Sequence, residues 1–125
     1  MYEQDYIMRI IKEIVRTLIK LLLNVDTEMA EERLVEDTES NSLYSELCKL
    51  VDGGKICEAE NRLYDLMDSD RNNADLIAVM TYSYMNDKSD EFLIEHNFSR
   101  AEVEEGLKRI AQKNGLSGLD DIFRM

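Results

Sequence analysis

The sequence predicts an all-α fold built from antiparallel helical hairpins, about six helices in total. Three observations lead there. The 125 residues contain no proline, and helix interiors are where proline is excluded. Apolar residues recur at three- and four-residue spacing, on runs rich in Ala, Leu, Glu and Lys. The breaks between runs carry Gly, Asn, Asp and Ser, which cap and turn helices. With 44% hydrophobic and 34% charged residues, the chain has enough apolar side chains for one core and is no disordered polyanion. The expected organisation is a single all-α domain over 1–125. An amphipathic helix occupies 1–24, an acidic connection with a short helix occupies 25–41, and a helical-hairpin body occupies 42–125.

The first helix is expected over Tyr2–Leu23. At 100° per residue, Ile7, Met8, Ile10, Ile11, Ile14, Val15, Leu18, Ile19, Leu21 and Leu22 fall in one arc. Arg9, Lys12, Glu13, Arg16, Thr17 and Lys20 fill the other side. The apolar arc spans about 180°, wider than the ~100° stripe of an ordinary surface helix. A surface that wide must be covered, since each large apolar side chain gains about 1.5–3 kcal/mol on burial. Ile7, Ile11, Ile14, Leu18 and Leu22 therefore make a candidate interface helix, sealed by the chain's own core or by another chain.

Asp26 or Thr27 can cap a short acidic helix over Glu28–Glu36. Asp37–Asn41 reads as a polar connection. A helix over Ser42–Val51, with Leu43, Leu47 and Leu50 inward, is broken by Gly53-Gly54. Another over Lys55–Asp68 turns Ile56, Ala59, Leu63, Leu66 and Met67 inward. Asp70–Asn73 is a turn, with Asn73 placed to cap a helix over Ala74–Met85 that buries Leu76, Ile77, Val79, Met80 and Tyr84. Glu91–Glu95 gives another turn or two. Ser99-x-x-Glu102 is a capping box that opens a helix to Asn114, and Asn114-Gly115-Leu116 has the form of a glycine C-cap followed by an apolar residue. A last short turn is expected from Ser117-x-x-Asp120.

The net charge of −12 repels phosphate backbones and disfavours nucleic acid as a partner. The acidity is uneven: residues 1–24 are close to neutral, with four cations against three anions. Cys48 and Cys57 are too few for a disulfide framework and lack metal spacing, which fits reduced thiols and a cytoplasmic location. The N-terminus has neither the uninterrupted apolar stretch of a leader nor the length of a membrane span.

Catalytic and metal chemistry is not expected, nor any cofactor or small-molecule substrate. Asp68-x-Asp70-x-Asn72 opens like a calcium loop, but loop position six is Asn73 and position twelve is Val79, so the bidentate carboxylate that closes the oxygen cage is missing. His96 is the sole histidine, too few for a zinc site of ordinary composition. Gly53-Gly54-Lys55 lacks the remainder of a phosphate loop. Gly115-Leu116-Ser117-Gly118 does not satisfy the nucleophile-elbow spacing.

With Ser40 as position one, Leu43 falls at four, Leu50 at eleven, Gly54 at fifteen, Ala59 at twenty and Leu63 at twenty-four. A second copy begins at Ala74, with Ile77 and Tyr84 at positions four and eleven. Residues 40–86 thus resemble a tetratricopeptide repeat, whose period is about 34 residues. They depart from it at Leu47 and Thr81, where a small residue is usual, and at Arg71, where the repeat closes with proline. The resemblance implies a right-handed stack of helix pairs, with a helical bundle as the plainer architecture. It also implies a concave groove lined by Asn41, Tyr44, Cys48 and Asp52 and by Asp75, Ala78, Tyr82 and Met85. Of these, Tyr44, Cys48, Asp52, Tyr82 and Met85 are the candidate partner-binding residues. The segment from Tyr2 to Ile14, Tyr-Glu-Gln-Asp-Tyr-Ile-Met-Arg-Ile-Ile-Lys-Glu-Ile, resembles the opening of an uncharacterised family of short acidic proteins from Firmicutes, which implies a bacterial cytosolic origin and no particular activity.

The function expected is a protein–protein interaction module without catalysis. The alternatives are a homodimeric structural protein sealed by the first helix and a peripheral membrane-surface protein. The last draws on the basic face of that helix and is opposed by the acidity of the rest and the absence of tryptophan.

Overall fold

A computed structural model describes residues 2–69 and 73–116, with side chains from Asp5 onward. The described residues form seven α-helices: α1 (Tyr2–Leu23), α2 (Thr27–Glu36), α3 (Thr38–Asp52), α4 (Ile56–Asp68), α5 (Ala74–Asn86), α6 (Asp90–Glu95) and α7 (Arg100–Lys113). The fold is all-α, as the periodicity predicts. The expected turn at Ser117–Asp120 and the Asp70–Asn72 stretch lie outside the described residues.

Helix α5 is the axis. Ten of its thirteen residues are buried, which is the state of a helix apolar on all sides. It packs against α1, α2, α3, α4 and α7. Ile77, Ala78, Val79, Tyr82 and Met85 have no exposed surface. Enclosure by five helices makes the molecule a bundle around α5, the plainer of the two expected architectures.

Local signals explain where the helices stop. Asp26 accepts a hydrogen bond from the Met29 amide (2.9 Å) and caps α2. Gly54, at φ 81°, ends α3; its amide reaches Val51 O (3.0 Å) while the Lys55 amide reaches Leu50 O (2.8 Å). This paired pattern satisfies the last carbonyls of a helix and needs a left-handed residue. It recurs after α6, where Asn97 takes the left-handed position and Phe98 closes to Leu93 O (2.9 Å). It recurs again after α7, with Gly115 and with Leu116 closing to Ala111 O (2.9 Å). The capping box at Ser99 and Glu102 is formed.

One boundary differs in kind from the expectation. Residues 38–41 are not a connection: α3 starts at Thr38, and Asp37 alone separates it from α2. The Asp37 carboxylate accepts from the Ser40 hydroxyl (2.8 Å) and caps α3. Asn73 sits at the N-cap of α5 as expected, but its side chain makes no capping bond there and donates Nδ2 to Asp37 Oδ2 (3.1 Å) and Ser40 Oγ (3.2 Å). Polar residues that looked like a linker are thus a helix start stapled to the entry of α5.

Two glycines permit close approach. A Cβ on Gly106 of α7 would lie 2.2 Å from Tyr82 Cζ, so the Tyr82 ring rests on bare backbone. A Cβ on Gly54 would lie 2.3 Å from two atoms of the His96 ring, so the α3–α4 turn seats on the end of α6.

Candidate functional site

The five groove candidates do not share one surface. Tyr82 and Met85 are wholly buried, and the Tyr82 hydroxyl donates to Glu60 Oε2 on α4 (2.9 Å). Tyr44, Cys48 and Asp52 line one side of α3, where Tyr44 and Cys48 are half-buried and Asp52 is exposed. What α3 meets there is Tyr84 and Lys88. The Tyr84 hydroxyl donates to Asp52 Oδ1 (2.7 Å), and Lys88 Nζ reaches the same oxygen. Tyr82 and Tyr84 are two residues apart, about 200° around a helix, so only one of them can face α3 from this side. Asp75 and Ala78, also read as groove residues, are respectively paired with Lys113 (3.1 Å) and wholly buried.

The Asp52 cluster is electrostatically self-contained. Hydrogen bonds from Lys88 and then Tyr84 hold the Asp52 carboxyl below its ordinary 3.8. The bond to Asp52 raises Lys88 above its ordinary value and raises Tyr84 as well. The Lys88 ammonium also lies 4.8 Å from the Tyr84 ring centroid and 5.3 Å from that of Phe92, a cation–π arrangement. Burial pushes the Cys48 thiol upward, partly offset by its hydrogen bond with Tyr44, and the Asp52 charge adds a smaller upward effect. A thiol shifted that way is protonated at neutral pH and is a poor nucleophile. Tyr44 is pushed far above its normal range, chiefly by burial. The arrangement fastens α3 to the end of α5.

The candidate interface helix is mostly covered by its own chain. Ile11, Ile14 and Leu18 are buried, and Ile7 and Leu22 are partly buried against the core. The seam packs on α5, α7 and α2, so the wide arc is used internally.

Other candidates are equally structural. His96 Nδ1 contacts Phe92 O (2.8 Å), and its ring stacks on Phe92 with centroids 4.4 Å apart. Among the described residues no group of His, Cys, Asp or Glu could hold a metal ion. No described helix is long and apolar enough to cross a membrane. The surface clefts are shallow. One of about 270 Å³ between α3 and α4 is lined by Leu43, Leu47, Arg62, Asp65, Leu66 and Ser69. Another of about 440 Å³ has Lys12 and Arg16 on one wall and Asp26 and Glu28 on the other.

Sequence reasoning missed two features. Arg100 is 3% exposed; its guanidinium reaches Asn86 Oδ1 (3.2 Å), Asn86 O (3.1 Å), Lys88 O (2.5 Å) and the Asp90 carboxylate. Asn86 in turn donates to Met8 O on α1 (3.1 Å). Nothing in the local pattern marks Arg100 as internal, because it follows a helix cap on what reads as a polar turn. The second is the outer surface of α1 and α2. Tyr6, Leu21, Met29 and Val35 are four of the five large hydrophobic side chains exposed among the described residues. The same two helices carry the exposed cations Arg9, Lys12, Arg16 and Lys20 on α1 and the exposed anions Glu28, Glu31, Glu32 and Glu36 on α2. The acidic run was visible, but its placement next to the basic row needs the α1–α2 packing.

Neither a curated protein nor a solved structure matches the chain. A family model does, over residues 1–115. That span covers every described helix, and the chain accordingly belongs to the family of unknown function DUF6483.

Proposed function

We propose that this chain is a small helical interaction module of the bacterial cytoplasm, without catalysis of its own, and that it meets its partner through the outer surface of α1 and α2. The observation that carries this reading is that four of the five large apolar side chains exposed among the described residues fall on these two helices, with Val35 at 66% and Met29 at 53% exposure. Scattered single apolar residues need no explanation, whereas a concentration of them on two adjoining helices among charged residues favours a contact surface.

The groups with shifted titration among the described residues argue in the same direction. The shifted groups are Asp52, Lys88, Tyr84, Tyr44 and Cys48, whose shifts follow from mutual pairing or burial, and Tyr82, Asp37 and Arg109, which are bonded to Glu60, Ser40 and Tyr64. The tetratricopeptide resemblance of residues 40–86 is supported by the α3–α4 hairpin, where Ala59 is wholly buried, and by the packing of α5 on both helices. In that reading the hairpin serves as scaffold, because its concave positions Tyr82 and Met85 are occupied by core.

The test is a photo-crosslinking residue placed at Leu21 or Val35 in cells, with Asn61 and Glu105 as exposed control positions. A defined adduct at Leu21 and Val35, absent at the controls, is the expected result. Adducts equal at all four positions, or at none, would overturn the reading.

A further inference from the structure

We infer that the partner on the α1–α2 surface is a second copy of this chain, set by a two-fold axis so that the basic row of each α1 lies on the acidic row of the other α2. The inference rests on the reading of α1–α2 as the contact surface and adds the identity of the occupant.

Charge complementarity carries it. Lys12, Arg16 and Lys20 stand exposed on α1, and Glu28, Glu32 and Glu36 stand exposed on α2. Arg16 is paired with Glu13 (3.0 Å) on its own helix. Among the described residues no ion pair engages Lys12, Lys20, Glu28, Glu32 or Glu36. Lys12 and Arg16 of the basic row and Glu28 of the acidic row border one cleft of about 440 Å³, together with Asp26, so the two signs meet on one face. A face with adjacent opposite rows is complementary to itself after a two-fold rotation, which is the requirement of an isologous contact. A basic peptide would use the α2 row alone. An anionic bilayer would use the α1 row alone and be repelled by α2. A second copy uses both rows and also brings the exposed Val35, about 20° around α2 from Glu28, out of water.

The size is sufficient for a modest dimer. Helix α1 is about 33 Å and α2 about 15 Å long at 1.5 Å per residue, and at about 10–12 Å wide the two offer roughly 500–600 Å² per copy, about the 1,000 Å² total at which a specific interface begins. The net charge of −12 opposes association everywhere else, so the register is set by the one surface where unlike charges can meet.

The experiment is sedimentation velocity on the full chain and on two double variants, Lys12→Glu with Arg16→Glu and Glu28→Lys with Glu32→Lys. All four positions are exposed, and circular dichroism checks that helicity is kept. The parent should shift to twice the chain mass between micromolar and millimolar concentration, and each variant alone should stay monomeric. Mixed one to one, the two variants should pair with each other, because each then offers the sign the other lacks. A parent monomeric over the whole range overturns the proposal, as does a dimer that survives both reversals or variants that fail to pair when mixed. Co-sedimentation of a monomeric parent with phosphatidylserine vesicles would assign the surface to a bilayer instead. Crosslinks at Val35 to a different protein, with the purified chain monomeric, would remove the second copy while leaving the interaction surface in place.

Discussion

Two carboxylate–cation pairs flank the short segment between α5 and α6, and they differ in one respect that matters. Asp90 binds Arg100, whose side chain is 2% exposed, whereas Asp52 binds Lys88, with side chains 49% and 24% exposed. Arg100 also takes the carbonyls of Asn86 and Lys88, so the same loop is gripped from inside by a guanidinium and from outside by an ammonium. The planar guanidinium suits the inner position, because it can satisfy several acceptors at fixed angles. The ammonium suits the outer one, where water completes its hydration. The comparison teaches that equal pairings contribute unequally: the inner pair is costly to break, and the outer one is nearly dispensable.

Replacing Arg100 by Met is the strongest way to test that difference. It leaves the Oδ1 of Asn86, 1% exposed, without the Arg100 donor and removes the link from α7 through Asn86 to α1. Asp90, 35% exposed, can be solvated once unpaired, but the Asn86 and Lys88 acceptors lose their donor at about 1–3 kcal/mol for a buried polar group left unsatisfied, so the urea midpoint should fall sharply. A loss below about 1 kcal/mol would place Arg100 with ordinary surface charges and dissolve the contrast.

Gly106→Ala comes next. The added methyl would enter the Tyr82 ring, which is fully buried and bonded to Glu60. Overpacking of this kind costs about 1–3 kcal/mol, even though alanine is the better helix former by about 1 kcal/mol. A Gly106→Ala variant that is more stable than the parent would show that α5 and α7 have room to part.

How much of this was legible beforehand depends on whether the signal is local. The helix ends at Gly54, Ser99 and Gly115 were readable, since a cap is decided within a few residues. Burial of Ile11, Ile14 and Leu18 was readable from spacing, but not what covers them. The start of α3 was misread because Thr38, Glu39, Ser40 and Asn41 are polar, and their helical state is held by Asp37 and by Asn73 from a distant turn. The groove was misplaced because the repeat register assigns α5 an open face. In the bundle α1 and α7 occupy that space, and Tyr84, two residues along from Tyr82, is the one that meets Asp52. Burial of Arg100 and the meeting of the α1 and α2 charge rows are long-range outcomes that no window of sequence displays.

The outer pair gives the smaller and more conditional effect. Lys88→Met should cost about 0.5–1 kcal/mol, less at high salt. Its pH dependence has a definite sign. The Asp52 carboxyl is held below its ordinary value of 3.8 in the folded state, so its contribution is present above that value and is lost as pH falls through the folded pKa. Lys88 is raised above 10.5, so its contribution is present below that and is lost as pH rises through the folded pKa. Parent and Lys88→Met should therefore differ in stability at neutral pH and converge at both extremes. A difference that persists unchanged once pH has fallen well below the lowered folded pKa of Asp52 would mean that Lys88 acts through its contact with the Tyr84 and Phe92 rings instead of through Asp52.

The smallest expected change is a gain, and it isolates backbone strain from all of these pairings. Asn97 ends α6 at φ 57°, a left-handed position that asparagine tolerates and glycine occupies freely. The bonds that close this turn, Asn97 N to Ile94 O (3.1 Å) and Phe98 N to Leu93 O (2.9 Å), are all main-chain, so Asn97→Gly leaves them intact. Relief of the strain is worth about 1 kcal/mol, partly offset by the extra freedom glycine gives the unfolded chain, and the net should be a few tenths of a kcal/mol in midpoint. A clear loss would show that the Asn97 side chain holds the turn by contacts of its own. In that case the grip on the segment between α5 and α7 would extend beyond Arg100 and Lys88, and the simple division into an inner and an outer clamp would fail.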